Sequence, residues 1–489
     1  MSLTPSQDSP PVTPVLDRIR TLLGPSGVIE APDAAAYLDE PRDRYPGQTV
    51  LVARPGSTEE VASLLKLCAA ARLPVVPRSG GTGLVGGQTK GDEPRPLVLS
   101  LDRMTAIRDV NAQDNAMTVE AGAILASVQE AAQAVDRLFP LSLASEGSCR
   151  VGGLLATNAG GIQVLRYGNA RDLCLGIEAV MADGTIVRDL KSLRKDNTGY
   201  DLRHLLIGSE GTLGIITAAS LKLFPRPAET ATAFCAVPSP EAAIALLRQC
   251  QSQLGESISA FELIPALSIR MTLEHIEGAR CPLATVPEWA VLIEAGAQGA
   301  GETLEAALKQ AFETELITDA AIAASLSQAA GFWHLRETIP QANRRVGSIA
   351  SHDISVPISG IPRFLSETES ALRAIAPDVR ITAFGHLGDG NLHYNLFPAK
   401  GRNRQDYANL APDLTRIVHD RTHVAQGSIS AEHGVGRIKA ADLQRYGDPG
   451  KLRVMRALKA TLDPHNILNP GAVFPTPTPD ATDNGQEPR

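Results

Sequence analysis

The sequence predicts an α+β chain in two parts: a glycine-dense, mixed α/β domain, then an antiparallel-sheet domain with covering helices. Three observations carry this reading. Apolar strand-like runs alternate with amphipathic helical periods from residue 50 onward. Glycines cluster at 80–87, 147–153, 160–168 and 208–214, all before Pro225. Pro225-Arg226-Pro227 then separates this stretch from a second alternation of strands and helices. The 489 residues are too many for one core. The expected division is a flexible tail (1–14), a first domain (15–227), a second domain (228–428), a segment returning to the first (429–474) and a disordered tail (475–489).

In chain order, residues 50–53 read as a strand, Ser57-x-x-Glu60 as the capping box of a helix, and 75–77 as a strand entering Gly80-Gly81-Thr82-Gly83. Together they form a β-α-β unit. Strands at 97–101 and 117–120 and an alanine-rich helix at 124–137 follow, before the later glycine-rich loops. Beyond the proline pair come strands at 231–237 and 289–295, with helices at 241–250 and from Glu302. A strand at 353–357, a helix at 361–375 and strands at 379–384 and 391–397 repeat the pattern, which suggests a separate antiparallel sheet. The Gly434-x-Gly436 turn, a helix at 450–462 and the Asn469-Pro470-Gly471 turn close the chain.

Composition excludes several classes of function. A net charge of -8 offers no general attraction to nucleic acid. Six cysteines without a CxxC pair argue against a disulfide framework or thiolate zinc site, so they read as reduced core residues. No apolar run approaches the roughly 20 residues of a membrane-spanning helix. The Pro- and Ser-rich start lacks a basic-then-apolar layout, which makes the cytoplasm the expected compartment.

Gly81-Thr82-Gly83-Leu84-Val85-Gly86 satisfies GxGxxG, but Gly87-Gln88-Thr89-Lys90-Gly91-Asp92-Glu93-Pro94 is too polar and too broken to open a helix. The helix-dipole version of dinucleotide binding is therefore not expected. The run from Arg78 to Gly83 can instead turn successive N–H groups toward one phosphate, or be an ordinary surface loop. Companion segments repeat the theme: Glu146-Gly147-Ser148-Cys149-Arg150-Val151-Gly152-Gly153, Thr157-Asn158-Ala159-Gly160-Gly161, Tyr167-Gly168 and Gly208-Ser209-Glu210-Gly211-Thr212-Leu213-Gly214-Ile215. One large ligand touching many backbones explains them together.

These segments, with Leu193-Arg194-Lys195-Asp196-Asn197-Thr198-Gly199-Tyr200-Asp201, resemble the FAD-binding half of the vanillyl-alcohol oxidase and p-cresol methylhydroxylase superfamily over residues 50–227. The resemblance implies a pyrophosphate held by Ser79, Gly80, Gly81, Thr82 and Gly83, flanked by Arg78 and Leu84. It implies an isoalloxazine ring against Gly147, Ser148, Gly152, Gly153, Asn158, Ala159, Gly160 and Gly161, and adenine near Ile215. Tyr167, Gly168, Glu210, Gly211 and Asn469 complete the expected FAD contacts. Some members attach FAD through a histidine in the first loop; Ser79 and Gly80 stand there, so non-covalent FAD is implied.

Phe384-Gly385-His386-Leu387-Gly388-Asp389-Gly390-Asn391-Leu392-His393-Tyr394-Asn395 places a Gly-Asp-Gly turn between two strand-like runs. The hairpin lets His386 and His393 converge on one ion, with Asn395 on the same face as His393; hydrogen-bonded core histidines are the plainer alternative. Ser430-Ala431-Glu432-His433-Gly434 offers a carboxylate and an imidazole, or a solvated turn. Three ligands and an open position describe a catalytic site of the zinc type, although two imidazoles and a carboxylate also suit manganese, iron or cobalt.

His386-x6-His393-x-Asn395 with Glu432-His433-Gly434 resembles the signature of the D-2-hydroxy acid dehydrogenase branch of that superfamily. That resemblance implies His386, His393 and Glu432 as ligands of a divalent metal, zinc first, with Asn395 as a substrate contact and His433 as general base. Hydride would pass from C2 of a D-2-hydroxy acid to the flavin. Arg336, in Trp333-His334-Leu335-Arg336-Glu337, is the candidate for the far carboxylate of D-2-hydroxyglutarate, or an exposed helix arginine paired with Glu337. Pro340 and Ser351 stand where the 2-hydroxyglutarate pattern has a threonine and a lysine, which leaves D-lactate and D-malate open, with Arg344 and Arg345 able to compensate. A metal-independent flavin oxidase of alcohols, phenols or sugars and a flavin-binding subunit of a larger oxidase are the competing readings. The electron acceptor (quinone, electron-transfer flavoprotein or cytochrome) and the choice between monomer and homodimer leave no readable motif.

Overall fold

The computed structural model describes residues 12–42 and 44–475; the tails expected at 1–14 and 475–489 lie mostly outside the described residues. The first sheet has four strands. Leu51–Ala53, Leu97–Ser100 and Val75–Arg78 run parallel in that spatial order, and Val28–Glu30 closes the edge antiparallel. The two strands of the β-α-β unit are thus not neighbours, because the Leu97 strand inserts between them. The helix joining them, Thr58–Ala71, starts where Ser57 Oγ accepts the Glu60 amide; the Glu60 carboxylate accepts from Gly56 N, so the expected capping box is shifted by one donor. A second, antiparallel sheet of five strands follows in the order Ile107–Asn111, Ala116–Glu120, Ile215–Lys222, Cys174–Val180, Ile186–Asp189.

Two expectations for this half are corrected. The helix expected to reach residue 137 ends at Gln133, because Asp136 takes a left-handed φ of 56° and Arg137–Leu138 pairs with Phe224–Pro225. Gly152 and Gly153 do not sit in a loop but in the helix Val151–Thr157. Their missing side chains serve close packing: a Cβ on Gly152 would stand 2.9 Å from Ala121 Cβ, and one on Gly153 3.0 Å from Ser79 Cβ.

The second half of the chain builds a sheet of seven antiparallel strands in the order Asp319–Ile322, Thr230–Val237, Trp289–Gly296, Ile258–Pro265, Arg380–His386, Asn391–Phe397, Ala350–Ser355. Helices Pro240–Leu254, Ala300–Glu313, Ile361–Ile375 and Ala411–Val424 bury their apolar stripes with it in one core. The strand expected at 353–357 runs three residues earlier, since Pro357 has no N–H for the ladder and a 3-10 turn follows at Ile358–Gly360. Ile258–Pro265, fully buried near the sheet centre, was not anticipated. Its eight residues, apolar but for Ser259 and Glu262, show no alternation to distinguish strand from buried helix.

After the seven-stranded sheet the chain lies back on the four-stranded one. Val75 N donates to Ile467 O and Asn469 N to Val75 O (2.7 and 2.8 Å), adding a short parallel bridge to the Val75 strand. The Lys459 ammonium donates to Thr212 O and Leu468 O while pairing with Asp463. All six cysteines are unpaired, and five are buried. Among the described residues no helix is long and apolar enough to cross a membrane.

Candidate active site

The hairpin forms as its turn chemistry requires. Gly385 (φ +155°) and Gly390 (φ +82°) take conformations that other residues adopt only under strain, and a Cβ on Gly385 would stand 2.4 Å from Asn391 O. Register pairs Phe384 with His393 and Thr382 with Asn395. The His386 and His393 rings meet edge to face, centroids 5.7 Å apart. Asn395 is buried, with its Nδ2 on His393 O. Gly385→Ala is expected to lower stability by about 1–3 kcal/mol, measured by denaturant unfolding, because the added methyl group meets backbone that a hairpin cannot move aside.

The segment carrying Glu432 and His433 reaches this hairpin from the other end of the chain. Glu432 Oε1 lies 3.4 Å from His386 Nε2, and ligand atoms of His386, His393 and Glu432 all fall within 4.8 Å of one another. Two imidazole nitrogens and a carboxylate oxygen at this spacing fit one small divalent cation. The electrostatics fit it as well. Burial lifts the Glu432 carboxyl to about 7, with His386 opposing and Asp353 and Asp389 adding, and burial pushes His393 down to about 3. A cation would favour the deprotonated carboxylate and the neutral imidazole that coordination needs. Glu432 is not the solvated turn residue that the plainer reading allowed.

Two buried carboxylates organise the cluster, and the sequence reading missed both. Asp353 accepts the backbone amides of Glu432 and His433 on Oδ2 (2.9 and 3.0 Å) and Asn391 Nδ2 on Oδ1 (2.9 Å). The same Oδ2 lies 3.5 Å from His433 Nδ1, which leaves Nε2 as the free nitrogen. Burial lowers the His433 pKa, against the pull of Asp353, so the imidazole is neutral near pH 7. Glu262, on the unanticipated central strand, bridges His386 Nδ1 and Arg336 Nε, the latter at 2.5 Å. Burial opposes charge on His386, but Glu262, joined by Glu432, lifts it to about 9. The one available signal was a single acidic residue inside an otherwise uncharged strand.

Arg336 is neither exposed nor paired with Glu337: it is 4% exposed, bound to Glu262, and stacked 4.8 Å from the Phe384 ring. Only its two Nη groups remain for a substrate. Arg345 donates to His275 O, which turns it to a neighbouring helix, and Arg344 is exposed. Pro340 sits in the first turn of the helix Ile339–Val346, and Ser351 bonds Ser348.

The glycine-rich segments reach this cluster at Gly160 and border a candidate cleft beside it. No helix follows Gly81-x-Gly83, so the N–H groups there are not spent on helical bonds. Residues 77–84, 156–158, 162–169 and 430–435 are half-buried throughout. Ser79 Oγ accepts Gly153 N, and a Cβ on Gly80 would stand 2.4 Å from Ser148 O, so the first and second loops touch. A Cβ on Gly160 would stand 2.9 Å from Glu432 Oε1, which sets this edge of the cleft against the carboxylate. Half-buried, glycine-rich loops of this kind can offer backbone N–H groups to an extended dinucleotide. Ala159 and Gly161 are buried and Tyr167 is half-buried, with Tyr167 edge-on to Phe224 and Gly168 ending a helical turn at φ +78°. Gly147 and Ser148 are exposed on the second loop.

Five of the expected cofactor residues are engaged within the protein. The Glu210 carboxylate is occupied by the Val435 and Gly436 amides (both 2.7 Å) and ties the Glu432 segment to the first domain. The Asn469 side chain donates to Gly87 O and Glu210 O and accepts from Arg437. The Arg78 guanidinium caps Ala36 O and Asp39 O and lies against Gly81, where a Cβ would stand 2.4 Å from its Nη2. Ile215 is 3% exposed in the first-domain core, leaving only backbone for adenine; Gly211, also buried, packs on Pro77.

The family described as FAD binding domain matches residues 50–189, and the family described as FAD linked oxidases, C-terminal domain, matches 226–473. The chain is 38% identical over 437 residues to a D-2-hydroxyglutarate dehydrogenase of Xanthomonas citri pv. viticola, covering 88% of this chain and 91% of that protein. It is 36% identical over 498 residues to the mitochondrial D-2-hydroxyglutarate dehydrogenase of Bos taurus, covering 97% and 89%. Among solved structures, p-cresol methylhydroxylase with substrate bound superposes at a TM-score of 0.73 with 15% identity, covering 95% of this chain and 97% of that one. The 4-ethylphenol oxidase from Gulosibacter chungangensis superposes at 0.71 with 16% identity, covering 96% and 99%. At such identities the structural likeness is one of fold, that of the vanillyl-alcohol oxidase and p-cresol methylhydroxylase type.

Proposed function

The chain belongs to the FAD-linked oxidases, and from that footing we propose that it oxidises a D-2-hydroxy acid to the 2-oxo acid, D-2-hydroxyglutarate first, with a divalent metal held by His386, His393 and Glu432. The observation that carries the reading is the meeting of this ligand cluster, and of His433 beside it, with the glycine-lined cleft at Gly160. FAD in the cleft would supply the hydride acceptor, and a metal ion, zinc first, would supply a Lewis acid toward the substrate oxygens.

The protein's own groups do the rest. His433 takes the hydroxyl proton at Nε2, because Nδ1 faces Asp353 and the ring is neutral near pH 7. Asp353 favours the imidazolium so formed and holds the Glu432–His433 backbone still. Arg336 offers its Nη pair to a carboxylate, and Asn395 lines the same wall. Pro340 and Ser351 carry no charge, so neither offers a second carboxylate an ion pair. The relatives named D-2-hydroxyglutarate dehydrogenase support putting that acid first.

The test is anaerobic. D- and L-forms of 2-hydroxyglutarate, malate and lactate are added to the purified yellow protein while the visible flavin bands are followed. Bleaching by a D-acid alone is expected, with loss of bleaching after chelation and its return with Zn²⁺. Bleaching that survives complete metal removal would move the protein to the metal-independent alcohol oxidases.

A further inference from the structure

We infer that Glu262 is a positioning residue that aims two arms of the site at once, one toward the metal and one toward the substrate. The inference rests on the metal reading above and assigns a role to a residue outside the ligand set. Glu262 is fully buried on the central strand Ile258–Pro265, and its two carboxylate oxygens are divided between two partners. Oε1 takes His386 Nδ1, and Oε2 takes Arg336 Nε at 2.5 Å.

Each bond removes a freedom that the site cannot tolerate. An imidazole can ligate through either nitrogen; with Nδ1 held by Glu262, only Nε2 is left, and it is Nε2 that lies 3.4 Å from Glu432 Oε1. A guanidinium can rotate about its stem; with Nε held by Glu262 and the plane resting on Phe384, the Nη pair is fixed as a unit. Burial explains why a carboxylate is used. Arg336 is 4% and His386 7% exposed, so each needs a partner that does not depend on water, and one anion serves both. The strand register that pairs Glu262 with His386 sets this geometry from the backbone.

The experiment uses FAD-loaded, metal-stripped protein titrated with Zn²⁺ by calorimetry, followed by steady-state oxidation of D-2-hydroxyglutarate at saturating Zn²⁺. Glu262→Gln is expected to weaken Zn²⁺ binding about 10–100-fold and, with zinc restored, to raise KM by a larger factor than it lowers kcat. Glu262→Asp should recover part of both. Where Glu262→Gln folds poorly, Glu262→Met/Arg336→Met removes both buried charges at similar volume and should show the same loss of Zn²⁺ affinity. Wild-type Zn²⁺ affinity in either charge-removing variant would overturn the inference while leaving the metal centre standing. Absence of Zn²⁺ binding by the unmodified protein would overturn the metal centre and this inference with it.

Discussion

Alanine at position 433 is expected to yield a yellow protein that still binds Zn²⁺ but whose flavin is bleached about 10²–10⁴-fold more slowly by the D-acid substrate. The magnitude is that of losing a positioned general base while keeping the rest of the site. His433 is not among the three proposed ligands, and its side chain makes no hydrogen bond that supports the fold; its backbone bond to Asp353 survives the change. The comparison is made by anaerobic stopped flow at saturating substrate, with FAD and zinc content measured on the same preparation. Unchanged bleaching would remove His433 from the chemistry. Loss of FAD or zinc together with the activity would make it a structural residue instead.

The second large effect is expected from Asp353→Asn. The change keeps the size but turns an acceptor-only group into one that must present an NH₂ either to the Glu432 and His433 amides or to Asn391 Nδ2. Donor then faces donor, and each buried donor left unpaired costs about 1–3 kcal/mol. The imidazole also loses the anion that sets its tautomer and favours its protonated form, so bleaching should slow by about 10²-fold or more. Thermal unfolding and stopped-flow bleaching read the two consequences separately. A variant as stable and as fast as the parent would show that Asp353 only fills space.

How much of this was legible beforehand differs from residue to residue. The pairing of His386 with His393 could be read because a Gly-Asp-Gly turn fixes a hairpin and the strand period fixes which residues share a face. The Glu432-His433 motif was visible, but its destination was not, because that depends on Asp353 and Glu210, which lie 79 and 225 residues away from the amides they bind. Arg336 was singled out without its surroundings: a helix position does not say which strand packs against it, and that strand, mostly apolar, shows no periodicity. Gly152 and Gly153 were read as loop because glycine usually marks one; here they let a helix sit flush on Ala121 and Ser79.

By itself the sequence determined the local matters: an α+β chain in two parts, a glycine-lined half suited to a flavin, a hairpin with two histidines, and unpaired cysteines. These follow from turn chemistry, periodicity and composition, which act over a few residues. Only the tertiary structure decided which polar side chains face the cleft and which are spent on the protein. Glu210, Asn469 and Arg78 were drawn into internal bonds, while Glu262 and Asp353 emerged as the groups that hold the site. The reason is physical: a buried polar atom must find a partner, and the partner is chosen by what the folded chain brings within about 3 Å, not by what lies near it in sequence.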